Sequence, residues 1–272
     1  MKNHMKKRIV FYFYAFKGFL ENDAIKINLK CLKYYSSIFD EALFIISVDD
    51  INDAGLISSA EKEIINCGFE NIRFKVHENN QCCEAQPFFE EIIQKLATLD
   101  GLTFFGHTKG VTRTKCKAIV DWILGLYYLN LNFAEEAEYL LTYDGGRFFG
   151  AFLTDGNGSW MNGFFFNGTF YWMNCPIIYE DYMLNKIKLP ETFGNRAFAE
   201  SFPAVLRYTP HNNGLMSHNM WYHKDGYNYY NDIDKLIPRL LNADKHPEEF
   251  QKFLDFKEEI LKGITLTGIK AR

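Results

Sequence analysis

The 272-residue chain lacks any CxxC pair. Its six cysteines stand at positions 31, 67, 82, 83, 116 and 175. That scatter fits neither a disulfide framework nor a zinc site and reads as reduced thiols of a cytoplasmic protein. There is no G-x-x-x-x-G-K-[ST] loop and no G-x-G-x-x-G after the first apolar run. Their absence disfavours a nicotinamide-dependent enzyme and a nucleotidyltransferase. No apolar run approaches the roughly 20 residues of a membrane span, and no signal-type apolar region follows Met1–Arg8. Positive charge is not in excess: the net charge is −4, which argues against nucleic acid as a partner. No internal repeat, low-complexity tract or linker breaks the first half of the chain.

What the chain has instead is apolar and aromatic side chains. It is 47% hydrophobic, with 26 Phe and 16 Tyr, enough for the core of one large domain or of one domain with a small appendage. Rings also suit a cleft that stacks sugars or bases, but core packing is the reading for most of them.

The apolar patterning predicts an alternation of strands and helices. Arg8–Phe16 is a continuous β-rich run, read as a central strand. Glu21–Phe39 carries Ile25, Leu29, Leu32, Tyr35 and Phe39 at helical spacing. Ala42–Val48 is a second buried strand. Ser58–Cys67 is a short helix capped by Ser58 or Ser59 and stopped by Gly68. Ile72–Val76 alternates, as an edge strand does. Glu84–Leu99 is a helix with Pro87 in its first turn, and Leu102–Phe105 is a fourth strand. Further on, Lys117–Leu141 is helical in pattern, Phe148–Leu153 is a strand and Asp155–Ser159 a turn cluster. Pro247–Ile264 is an amphipathic helix docked on the rest. The fold class is therefore α/β: a mostly parallel central sheet flanked by helices, with a C-terminal helical extension. Residues 1–208 form the main domain, and 209–272 a loop and helix packed on it.

Beyond the fourth strand lies a cationic loop with His107, Lys109, Arg113 and Lys115. Ligands of open α/β sheets sit outside the carboxyl ends of strands, so this loop is a candidate phosphate site. Taken alone, it reads better as a solvated loop, and its place after a strand is what favours the phosphate site. His211, His218 and His223 match no zinc spacing and are read as pocket-edge residues in a loop, Thr209–Asp234, that would serve as a lid.

Three motifs follow one another: His107-Thr-Lys-Gly110, Asn167-Gly-Thr-Phe-Tyr-Trp172 and Arg196-x-x-x-Glu200. Together they resemble a family of bacterial polysaccharide-biosynthesis glycosyltransferases of the GT-A (Rossmann-like) fold, which carry FHTKG-like, GNFWW-like and R…E motifs in that order. The likeness spans about residues 8–205. This chain departs from it with Phe105-Gly106 before the histidine and with Gly-Thr-Phe-Tyr-Trp in the second motif. Both departures bear on the choice of acceptor.

The resemblance implies transfer of a sugar from a nucleotide-sugar, a UDP-sugar foremost, to a growing surface polysaccharide of capsule or lipopolysaccharide type. The acceptor would be a glycan or lipid-linked glycan, met at the inner face of the cell membrane. Peripheral membrane contact there would draw on Lys2, Lys6, Lys7 and Arg8. Where GT-A enzymes usually place an Asp-x-Asp metal site, this chain has His-Thr-Lys-Gly. No cofactor is expected, and positive charge on the diphosphate would come from Lys109 with Arg113 or Lys115 rather than from a metal. His107 would donate to a phosphate or orient the loop through Thr108. Tyr14 and Phe16 would wall the nucleotide pocket or pack in the core. Asp49 and Asp50, followed by Asp53, would bind ribose or base edges, or else make Asx-type turns. Trp160, Asn162, Asn167 and Trp172 offer rings and amides to sugar faces and hydroxyls, with a core strand pair as the alternative. Glu200 would be the base that takes the acceptor proton, and Arg196 would belong to the acceptor side or simply pair with Glu200 at helical spacing. A non-catalytic nucleotide- or glycan-binding protein on the same fold is the second reading.

Overall fold

The computed structural model describes residues 5–111, 117–155, 164–166, 168–194, 197–209, 215–216 and 229–266. Four parallel strands form its centre: β1 (Lys7–Tyr14), β2 (Glu41–Val48), β3 (Ile72–Glu78) and β4 (Leu102–His107). Helix α1 (Asp23–Tyr35) joins β1 to β2, and α2 (Ala54–Ile65) joins β2 to β3. A short α3 (Ala85–Phe88), continued by a π-turn over Phe89–Ile93, leads to β4. The sheet is extended by β5 (Phe148–Phe149), β8 (Tyr171–Asn174) and β9 (Leu215–Met216), in the order β3-β2-β1-β4-β8-β5-β9. β8 runs antiparallel to β4 and β5; the other pairings are parallel. A separate two-stranded sheet pairs β6 (Leu153–Asp155) with β7 (Phe164–Phe166).

The alternation in β1 sorts the molecule into layers. Ile9, Phe11 and Phe13 face one core, and Val10 and Tyr12 face the other. Because successive side chains point to opposite faces, a strand buried on both sides must be apolar throughout, as this one is. The first core is covered by α1, α2, α4 (Lys117–Tyr127), α5 (Ala134–Thr142), α8 (Tyr229–Leu240) and α9 (Pro247–Leu261). The second is covered by α3, α6 (Cys175–Met183) and α7 (Phe198–Val205). The chain is thus α/β, with a mostly parallel sheet between two helical layers, compatible with a Rossmann-like fold. Its C-terminal part shares the first core: Ile233, Ile237, Phe253, Phe256 and Ile260 belong to the same buried cluster as Phe11 and Phe104.

Several expectations are corrected. α2 begins before Ser58, because Asp53 caps it by accepting from the Leu56 N–H at 2.9 Å. The helix expected over Glu84–Leu99 opens into the π-turn and a 3-10 turn at Leu96–Thr98. The one expected over Lys117–Leu141 is broken by a π-turn at Tyr128–Asn132. A π-turn releases backbone groups from the helical ladder, and the Asn130 carbonyl accepts from Trp172 Nε1 at 2.9 Å. The strand expected over Phe148–Leu153 stops at Phe149. Gly150 lies against Phe166, where a Cβ would come within 2.8 Å of the ring, and Phe152 turns the chain at φ +55°.

Candidate functional site

In the order β3-β2-β1-β4, the chain moves outward in one direction from β1 and then crosses back to lay β4 on the other side. The carboxyl ends of β1 and β4 therefore border the crevice where open α/β sheets bind ligands. Each position of His107-Thr-Lys-Gly110 has its own structural tie there. Thr108 extends the ladder between the two strands: its N–H donates to the Tyr12 carbonyl at 2.9 Å, and its hydroxyl accepts from the Tyr14 N–H at 3.0 Å. Lys109 is clamped through its backbone. Its carbonyl accepts from Asn28 Nδ2 at 3.0 Å and its N–H donates to Asn28 Oδ1 at 3.3 Å. Gly110, at φ +79°, presses on α4, where a Cβ would lie 2.5 Å from Ile119. With its backbone so fixed, Lys109 carries its ammonium 6.0 Å from the centre of the Trp122 ring, at the outer limit of a cation–π contact.

His107 and Glu200 meet at the backbone of one residue, Gly168. His107 Nε2 lies 3.1 Å from the Gly168 carbonyl, so this nitrogen carries the proton and donates. The Gly168 N–H donates to Glu200 Oε1 at 2.7 Å. Gly168 is held at φ +93° in a turn closed by the Thr169 N–H donating to the Phe166 carbonyl at 3.3 Å. A Cβ there would meet Leu126 at 3.0 Å and Trp122 Nε1 at 3.3 Å. Glu200 stands in the first turn of α7, which Tyr171 anchors by donating its hydroxyl to the Ala199 carbonyl at 2.5 Å.

A second cluster joins the ends of β1, β2 and β3. The Tyr14 hydroxyl donates to Asp49 at 3.0 Å, and Asn79 Nδ2 donates to the same carboxylate at 2.9 Å. Burial, and then the bond to Asp49, push the Tyr14 phenol above its ordinary pKa. Phe16 lies beside it, ring centres 5.5 Å apart. Tyr14 and Phe16 are only partly buried and Asp49 is exposed, so a planar group entering the crevice meets two rings and a carboxylate. The acidic run divides at this point. Asp50 closes an Asx turn on the Asn52 N–H at 2.9 Å and Asp53 caps α2, so both carry the turn chemistry that was one of their two readings.

Of the other residues singled out, Trp172 is corrected. It is fully buried, its indole N–H is taken by Asn130, and it stacks on Phe39 with ring centres 5.5 Å apart. It is a core side chain and does not reach a sugar. Arg113, Lys115, Trp160, Asn162, Asn167 and Arg196 lie outside the described residues, as do His211, His218, His223 and most of the expected lid. The sequence reading missed Asn28, Asn79, Trp122 and Gly168. Asn28 did leave a signal, a polar residue inside the apolar stripe of α1. Asn79 and Trp122 matter only through partners distant in sequence.

No known family model matches the chain, and no curated protein matches it significantly. Among the described residues, no helix is long and apolar enough to cross a membrane.

Proposed function

We propose that the chain is a glycosyltransferase of GT-A type. It would move a sugar from a nucleotide-sugar, a UDP-sugar foremost, to a bacterial surface polysaccharide or lipid-linked glycan. The observation that carries this reading is the backbone of Gly168, whose carbonyl accepts from His107 of the cationic loop and whose N–H donates to the Glu200 carboxylate. A transferase of this class needs positive charge at the leaving diphosphate and a base at the acceptor hydroxyl, close together. On this reading Lys109 faces the diphosphate, and His107 holds the loop rather than the ligand. Tyr14, Phe16 and Asp49 receive the nucleoside, and Glu200 takes the acceptor proton. The diphosphate charge is met by side chains, without an Asp-x-Asp-held metal. Arg113, Lys115 and Arg196 lie outside the described residues and keep their roles on the donor and acceptor sides as part of the proposal.

A non-catalytic binding protein is the second reading, because Glu200 already has a structural task in holding Gly168. Glu200→Gln separates the two, since the amide oxygen still accepts from the Gly168 N–H while the base is lost. Turnover of a UDP-sugar, by hydrolysis or transfer, should fall about 100- to 10,000-fold with the donor Kd unchanged. Wild-type protein that binds UDP but turns over no UDP-sugar contradicts the transferase reading.

A further inference from the structure

A cleft of about 580 Å³ lies away from the crevice, lined by Arg147, Asp181, Lys186, Lys188, Arg207 and Tyr208 among others. Its position follows from the strand register. Arg147 accepts through its carbonyl from the Asn174 N–H, and Asn174 pairs with Leu102 at the start of β4. His107 ends the same strand, roughly 16 Å further on. Cleft and crevice therefore open at opposite ends of the sheet.

The cleft is cationic beyond what its own structure uses. Asp181 is shared by Arg147 at 2.8 Å and Lys186 at 3.1 Å. Among the described residues, no side chain pairs with Lys188 or Arg207, and both are exposed. Two helices end here in left-handed caps. Asn185 stands at φ +56° after α6 and Arg207 at φ +59° after α7, each cap closed by backbone bonds such as Lys186 N–H to Asp181 and Tyr208 N–H to Pro203. Each helix C-terminus contributes about half a negative charge. Set against four cations and one carboxylate, this leaves about two positive charges unanswered. Arg207 occupies the cap position where glycine is the unstrained choice, so its guanidinium is kept there against a backbone preference.

The cationic rim continues into exposed apolar side chains: Met183 is 58% exposed, Leu184 55%, Val205 43% and Tyr182 41%. A soluble anion has no use for these, whereas a lipid surface uses both parts. Cations meet headgroup phosphates and apolar side chains enter the acyl boundary. Of the N-terminal basic run, the described members Lys6, Lys7 and Arg8 are already paired. Lys6 pairs with Glu41 and Asp100, Lys7 with Glu138, and Arg8 with Glu41 and Asp100.

We propose that the Arg147–Lys186–Lys188–Arg207 cleft and its Tyr182–Leu184 rim form a docking surface for an anionic lipid membrane. The inference is independent of the transferase reading. It is tested by co-sedimentation of the full chain with phosphatidylcholine vesicles, with and without about one-third phosphatidylglycerol. Wild type should pellet only with the anionic vesicles. Lys188→Glu and Arg207→Gly should each weaken partitioning about fivefold or more, and Met183→Ser with Leu184→Ser should weaken it further. Arg207→Gly also favours the backbone, so its melting temperature should hold or rise while binding falls. A purely structural arginine would give neither change in binding. Absence of binding to anionic vesicles, or equal binding by all variants, overturns the proposal. So does saturable binding of inorganic phosphate in the cleft without vesicle binding, which would assign the site to a soluble ligand.

Discussion

Asn28 shows how one buried amide can set the position of a functional loop. It is fully buried, gives hydrogen bonds to the Ala24 and Lys109 carbonyls, and accepts from the Tyr127 hydroxyl at 3.0 Å and from the Lys109 N–H. Truncation leaves several buried polar groups without partners, each costing about 1–3 kcal/mol. Asn28→Ala should therefore lower the melting temperature by several degrees and weaken nucleotide binding as the Lys109 backbone is released, both readable by calorimetry. Gly168→Ala should fail for a different reason. Its backbone sits at φ +93° and the new methyl would meet Leu126 at 3.0 Å, a combination of strain and overpacking worth about 1–3 kcal/mol or more. Gly194, at φ +63° with open space around it, is the control: Gly194→Ala bears only the backbone term. Turnover should be lost in Gly168→Ala and kept in Gly194→Ala, with thermal melts showing the larger drop for Gly168.

At the scale of elements, β1, β2 and β4 were legible because strands buried on both faces must be continuous apolar runs. Edge strand β3 was legible from its alternation. The interruptions were not. The π-turn at Tyr128–Asn132 and the break after Phe149 are set by partners far along the chain, as when Trp172 takes the Asn130 carbonyl, whereas the early start of α2 is a local cap by Asp53. The same limit explains the misreading of Trp172. An aromatic strand facing a sugar and one facing a core look alike in sequence, and only the register of β8 against β4, Phe104 opposite Trp172, buries the ring. His107 and Glu200 do come to one place, but what joins them, the N–H and carbonyl of Gly168, is backbone and has no side-chain signature. Trp172→Ala should accordingly act on stability, costing about 3–5 kcal/mol. In denaturant titration the midpoint should fall, while KM for any donor in the surviving folded fraction stays as in wild type.

At the scale of the whole molecule, both helical layers close on one sheet, and the last helix is pinned to α4 by Lys257 and Asp121 at 2.5 Å. One buried charge gives this assembly a defined acid limit. Burial pushes the Asp181 carboxyl up, but hydrogen bonds from Arg147, Tyr208 and Lys186 outweigh it and bring the pKa from 3.8 down to about 2. A carboxyl depressed by folding stabilises the native state fully above its unfolded pKa, and that contribution disappears as pH falls through the folded value. Between about pH 4 and pH 2 the protein should therefore lose about 2 kcal/mol from this residue. Urea midpoints measured across that window should fall less steeply in Asp181→Asn, which starts less stable at neutral pH. Equal slopes for the two proteins would remove Asp181 from the acid response.

On the proposed reading, the crevice at the ends of β1 and β4 takes a nucleoside diphosphate on protein cations. Calorimetric titration of UDP in excess EDTA, on wild type and on Lys109→Ala, tests it most directly. Binding by wild type, weakened about tenfold or more by the substitution, is the predicted result. Binding that appears only when Mn²⁺ replaces the chelator, or no binding under either condition, would contradict it.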